Sequence, residues 1–142
     1  MFRAGRRFFS AASLTLIVVA GLHTLGHFSP QEDPALKQLM GAMDAFRLPL
    51  GMGMTPSVRD IFRSLSLTMT VTFVALGLQN LVVAASRDAT ARLIRGLTVI
   101  DVVAMGALVA LYAFYRVPPP LVSLVVVEAL FVLSLALPPH AS

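Results

Sequence analysis

The sequence predicts an all-α, polytopic membrane protein: an up-down-up-down bundle of four transmembrane helices, with a short interfacial amphipathic helix in the first loop. Three observations carry this. The 142-residue chain is 57% hydrophobic and only 13% charged, where soluble domains average about 45–50% apolar and about 25% charged. Four stretches are nearly free of charge: 8–31 and 64–86 entirely, 96–115 but for Asp101, and 117–142 but for Glu128. Apolar residues surround each stretch instead of forming one stripe, as happens where lipid replaces water. A hydrocarbon core about 30 Å thick needs roughly 20 such residues at 1.5 Å each. A single membrane domain is expected, with spans at about 8–28, 61–85, 92–115 and 121–137.

The first span opens on Arg3, Arg6 and Arg7. A removable signal peptide begins the same way, and Arg6-Arg7-Phe8-Phe9 loosely echoes a twin-arginine signal. No Ala-x-Ala site follows the apolar run, which ends in His23, His27 and Phe28-Ser29-Pro30, so a retained anchor is expected. The connection to the second span, 32 residues from Ser29 to Asp60, is long enough to carry structure of its own. Asp33-Pro34 reads as an N-cap with proline at the first helical position. Leu36, Leu39, Met40, Met43 and Phe46 then recur at helical spacing, with Lys37, Gln38 and Asp44 between them. This predicts an amphipathic helix over about 34–46 lying at the membrane surface, as a passive strap or as a lid over the mouth of the bundle. Leu48-Pro49 stops it, and Gly51-Met52-Gly53-Met54-Thr55-Pro56 gives a flexible, methionine-rich return.

The remaining breaks are short. Ser86-Arg87-Asp88 makes a polar turn, so spans two and three are antiparallel neighbours. Pro118-Pro119-Pro120 ends span three, because proline lacks the N–H donor and clashes with the preceding turn. Orientation follows from basic residues near the span ends. Arg3, Arg6, Arg7, Arg87, Arg92 and Arg95 flank one side, and Lys37, Arg47, Arg59, Arg63 and Arg116 the other. The first arginine cluster tips both termini toward the cytoplasm, in the inner (plasma) membrane. These cations account for most of the +4 net charge. They are dispersed and form no stripe, which argues against a nucleic-acid partner. With no cysteine, disulfides and cysteine-based zinc sites are excluded.

Polar residues inside the spans are the candidates for function. A charge at mid-bilayer costs about 2.5–3.5 kcal/mol on insertion scales, so it faces the bundle interior and has a partner. Glu128, near the centre of span four, reads as a proton donor, proton acceptor or ligand-binding carboxyl, or as a protonated acid bonded to a neighbouring helix. His23 and His27 lie on one helical face at the end of span one. Asp60 and Arg63 open span two on that side, and Tyr112 and Tyr115 close span three there. His23 lies about 7 Å inside its helix end and Glu128 about 10 Å inside its own. From depth alone, His23, His27, Asp60, Tyr112 and Glu128 are expected to converge on one ligand-binding polar cavity in the outer half of the bundle. The plainer reading has the histidines bonded to Asp60 or loop carbonyls at the headgroup level. His23 and His27 are weak metal candidates, since three or four ligands are needed. A Glu-x-x-His di-metal pattern is absent. Projecting from one face, the two cannot be trans-axial haem ligands, and His140 does not change that. No cofactor motif is present, and no cofactor is expected. Toward the opposite membrane face, Gln79 and Asn80 are expected to meet Asp101 as structural glue. Gly77, Gly96, Gly106 and the alanines at 104, 107 and 110 are expected to admit close helix approach.

His23-Thr24-Leu25-Gly26-His27 closing the first span, Asp33-Pro34, Ser57-x-x-Asp60-x-x-x-Ser64 opening the second span and Pro119-Pro120 before the last together resemble an uncharacterised family of small bacterial integral membrane proteins. These are about this long, with four predicted helices. The resemblance implies that His23, His27 and Asp60 form the recurring polar feature, and it implies no activity. Membrane families of the DoxX type are similar in size and architecture but share no diagnostic motif with this chain.

Three functions are compatible with these residues. The first is a binding or accessory protein for a lipid-like molecule or a membrane partner. The second is a membrane enzyme of isomerase or cyclase type, using His23, Asp60 and Glu128 for proton transfer on an apolar substrate, although no nucleophile–base pair is visible. The third is proton-coupled transport by an oligomer, since four helices alone leave little room for a pathway. Homodimerisation is compatible with the chain, without a Gly-x-x-x-Gly face to mark it.

Overall fold

The computed structural model describes residues 3–30 and 32–137, so His140 lies outside the described residues. Five helices follow one another: α1 (Arg3–Phe28), α2 (Pro34–Ala45), α3 (Val58–Ala85), α4 (Ala91–Phe114) and α5 (Pro118–Ala136). All but α2 are long and apolar enough to cross a membrane, which makes the protein multi-pass and all-helical.

α1 begins at Arg3, ahead of the expected residue 8, and two further helix starts differ from the sequence expectation for identifiable reasons. α3 begins at Val58, ahead of residue 61, because Ser57 and Asp60 form a reciprocal cap. The Asp60 N–H donates to Ser57 Oγ at 3.0 Å, and the Ser57 N–H donates to Asp60 Oδ2 at 3.0 Å. α5 starts at Pro118, so the triple proline is its first turn and not its approach. The first N–H groups of a helix have no intrahelical partner, so proline costs little there.

Asp33 caps α2 as expected, accepting from the Ala35 N–H at 2.8 Å. Leu36, Met40 and Met43 are half-buried on one face of α2 while Lys37 and Gln38 are exposed. The return to α3, expected as flexible, is hydrogen-bonded along its length. Val58 donates to Phe46 O at 3.0 Å, Leu48 to Pro56 O at 3.0 Å and Leu50 to Met54 O at 3.1 Å. Its tip turns through three left-handed residues, Gly51 (φ 86°), Met52 (49°) and Gly53 (75°).

The chain divides into two compact units, and α1 and α3 contribute to both. One unit holds the chain up to Val19 and from Phe73 onward, and the other holds Ala20–Thr72.

In the first unit the helices form a closed, antiparallel ring. α1 meets α5 where Phe9 stacks edge-on against Phe131 (centroids 6.0 Å) and Ser134 Oγ donates to Gly5 O at 2.9 Å. α1 meets α3 around Gly77, and α3 meets α4 through Asn80 and Asp101. α4 meets α5 where Glu128 faces Gly106. Narrow buried stripes line the ring: Phe9, Ala12, Ser13 and Leu16; Phe73, Gly77, Asn80 and Ala84; Ile94, Thr98, Asp101 and Met105; Leu124, Val127, Phe131 and Ser134. In lipid, burying such a stripe gains nothing from leaving water, so packing and interhelical hydrogen bonds hold the ring. Arg6 supplies one such tie that the sequence pattern did not single out. Its guanidinium donates to the carbonyls of Ala84 and Ser86, orphan acceptors at the C-terminal end of α3.

The small residues divide differently from expectation. Gly77 is the point of close approach, whereas a Cβ on Gly96 would have nothing within 4 Å. Ala104, Ala107 and Ala110 are exposed. The face of α4 turned to α3 and α5 is instead the Thr98–Asp101–Met105 stripe.

α4 ends in a Schellman turn. Val117 donates to Tyr112 O at 3.0 Å and Arg116 to Ala113 O at 3.2 Å, with Arg116 left-handed at φ 54°. Glycine holds that conformation without the cost of about 1–2 kcal/mol that a Cβ incurs. Arg116→Gly is therefore expected to raise the stability of the detergent-solubilised protein by about 1 kcal/mol, read as a higher midpoint in denaturant. A lower midpoint would mean that the Arg116 side chain matters more than its backbone.

Candidate functional site

The predicted site residues fall in both units. His23, His27 and Asp60 belong to the second, and Tyr112 and Glu128 to the first.

In the second unit, the last turns of α1 meet the first half of α3. His23 Nε2 lies 2.8 Å from Ser66 Oγ, and His27 Nδ1 lies 3.2 Å from the same oxygen. One turn deeper, Thr24 Oγ1 and Thr70 Oγ1 are 3.2 Å apart. The helical period explains the match: 27 and 24 are three apart on α1 and 66 and 70 four apart on α3, so two successive rungs face each other. All five side chains are half-buried. The histidines therefore pair with a serine, and not with Asp60 or loop carbonyls.

A hydroxyl carries one hydrogen, so Ser66 donates to one imidazole and accepts from the other. The shorter contact suits O–H···N and the longer one N–H···O. That order has Ser66 donating to His23 Nε2 and accepting from His27 Nδ1–H; the reverse order exchanges the two roles. Either way round, one ring presents an N–H and the other a ring nitrogen outward from the chain of three.

Asp60 is committed elsewhere. Its carboxylate caps α3 and lies 3.8 Å from Arg47 Nη1, in an exposed pair. Nearby, Arg59 Nη1 and Asp44 Oδ2 are 2.5 Å apart, tying α2 to α3. Such partly exposed pairs contribute about 0–1 kcal/mol. Among the described residues no group of three or more His, Asp or Glu side chains is placed to hold a metal ion. The metal reading of His23 and His27 thus lacks a third ligand.

In the first unit, Tyr112 is half-buried in the last turn of α4. Glu128 Oε1 would lie 3.5 Å from a Cβ on Gly106, and Glu128 Oε2 is buried with no hydrogen-bond partner among the described residues. Asn80 Nδ2 donates to Asp101 Oδ2 at 2.8 Å, and Asp101 is 2% exposed. Asn80 thus makes the expected contact, while Gln79 points outward and is exposed.

Ser66 is the residue that the sequence reading missed. The available signal was the alternation Ser64, Ser66, Thr68, Thr70, Thr72, which puts hydroxyls all around α3 and so does not single out one of them.

The class these features define is a multi-pass, four-helix membrane protein with a half-buried His–Ser–His cluster inside one membrane edge. No family model, curated protein or solved structure matches the chain.

Proposed function

We propose that this is a binding or accessory protein of the bacterial inner membrane, with both termini cytoplasmic, that holds a lipid-like amphiphile by its polar head at His23, Ser66 and His27. The observation that carries this reading is the shared Ser66 hydroxyl at 2.8 and 3.2 Å from the two imidazoles. It leaves one ring N–H donor and one ring nitrogen acceptor for a ligand, on side chains that are half-exposed at the membrane edge. Apolar side chains that are exposed alongside, Leu22, Leu25, Phe62 and Leu65, suit an acyl chain. A homo-oligomer or a second membrane protein is compatible with the same role.

The test is native mass spectrometry of protein extracted in mild detergent. The wild type is expected to retain an amphiphile that His23→Ala/His27→Ala loses by about tenfold or more, since two hydrogen bonds of about 0.5–1.5 kcal/mol each are removed. Equal retention by both, or none by either, would contradict the proposal.

The Ser66–His23 contact also favours a second reading, a membrane enzyme, because a hydroxyl bonded to an imidazole is the arrangement that activates a nucleophile. In that reading His23 keeps the proton-transfer role expected from the sequence, and Asp60, engaged as a helix cap, drops out of it.

A further inference from the structure

We propose that Ser66 is an acyl-accepting nucleophile, with His23 as its base and His27 as the donor to the developing oxyanion, acting on the carboxylic ester of a membrane lipid. This rests on the reading that a lipid-like molecule occupies the site, and it names the chemistry done there.

Geometry supplies each role. Ser66 Oγ is 2.8 Å from His23 Nε2, within reach for direct proton transfer. Ser66 sits inside α3, where its own N–H is held by the helix, so the oxyanion donor has to be a side chain. His27 Nδ1, 3.2 Å from Oγ, is the side-chain nitrogen near enough to serve an oxyanion formed beside the new C–O bond. Thr24 Oγ1, 2.9 Å from Ala20 O, and Thr70 Oγ1, 3.4 Å from Ser66 O, bridge to each other below the serine and fix α1 against α3.

Depth selects the substrate. α3 has 28 residues, about 42 Å at 1.5 Å each, so if upright and centred on a core of about 30 Å it overhangs by about 6 Å at each end. Ser66 lies about 12 Å from the start of α3, hence about 6 Å below the hydrocarbon boundary. The ester carbonyls of a glycerolipid lie where headgroup gives way to acyl chain, within reach of that depth. A phosphate headgroup lies farther out.

The reaction balances without a redox partner. Ser66 Oγ bonds to the ester carbonyl carbon as its proton passes to His23 Nε2, and the carbonyl oxygen, now negative, takes the His27 N–H. Collapse breaks the ester C–O bond, and the proton on His23 goes to the departing alcohol oxygen. Water, giving its proton to His23, then attacks the acyl-Ser66 carbon. The carboxylic acid leaves as Ser66 regains its hydrogen.

An alkyl fluorophosphonate reports this nucleophile directly. The full chain in mild detergent is expected to gain one adduct, mapped to Ser66 by peptide mass spectrometry. Ser66→Ala should abolish it, and His23→Gln should slow it by about 100-fold, the lower end of what a general base supplies. His27→Leu should slow it too, with His27→Gln restoring part of the rate through its N–H. No adduct on Ser66, or an undiminished rate in His23→Gln, would overturn the proposal, and mapping the wild type decides the matter even if a variant fails to fold. Bound lipid, measured on the same samples, separates the two claims. Lipid retained without labelling overturns the nucleophile alone, and labelling without retained lipid supports the nucleophile while contradicting stable binding.

Discussion

Gly77→Leu is expected to leave little folded protein. A Cβ at Gly77 would sit 2.6 Å from Ile17 Cγ1 and 2.8 Å from Ser13 O. The isoleucine side chain can rotate away, but the Ser13 carbonyl belongs to the α1 backbone, so α1 and α3 have to separate. One methyl forced into a packed interface costs about 1–3 kcal/mol, and leucine adds three more carbons. Separation would also strain the Arg6 cap, which joins the same two helices seven residues along at Ala84. Size-exclusion chromatography of the detergent extract is expected to show Gly77→Ala destabilised and Gly77→Leu aggregated. Gly96→Ala, with nothing within 4 Å of the new Cβ, is expected to match wild type. A monodisperse, wild-type-like Gly77→Leu would show that α1 and α3 are not closely apposed there.

The second large effect is expected from Asn80→Leu. It removes the amide that donates to Asp101 Oδ2 at 2.8 Å and leaves a 2%-exposed carboxyl facing an apolar side chain. Stranding a buried polar group costs about 1–3 kcal/mol, whereas replacing both partners by apolar groups is nearly neutral. Asn80→Leu and Asp101→Leu should each lower the midpoint of unfolding in a denaturing detergent. The double variant should recover most of the loss, giving a coupling energy that single changes at unrelated sites lack. Interhelical bonds in membranes average about 0.6 kcal/mol, because the unfolded helices find other partners, so the lower end of the range is expected. Additive losses would contradict a direct Asn80–Asp101 bond.

The four spans were legible because lipid imposes a coarse requirement, about 20 apolar residues with every backbone group bonded internally. The Asp33 cap was equally legible, since capping is a property of a few adjacent residues. Helix rotation was not. Its determinants are contacts between distant parts of the chain, which is why Gly96 and the alanines at 104, 107 and 110 were expected at helix interfaces and lie on outward faces. Apolar residues all around a helix erase the amphipathic stripe that marks the inner face in a soluble bundle. Polar residues partly restore it: Asn80 and Asp101 were paired correctly by depth and chemistry, because few other groups at that level could satisfy them. The same reasoning placed His23 and His27 on one face but gave them Asp60 as a partner. Asp60 is claimed locally by the Ser57 cap, a short-range bond that forms with α3 itself, and Ser66, one of five alternating hydroxyls, takes its place.

The fold requires lipid around these helices, and a chain without native cysteine allows a clean measurement. Val18, Val71, Val103 and Val126, one on each long helix, are between 50% and 68% exposed in the protein itself, so their shielding has to come from outside the chain. Cysteines placed singly there are expected to resist a membrane-impermeant maleimide in sealed membranes and to react once detergent is added. Cysteines at Thr55 and Ser86 should react from opposite sides. Rapid reaction at all four valine positions before detergent is added would mean that water, and not a bilayer, surrounds the helices.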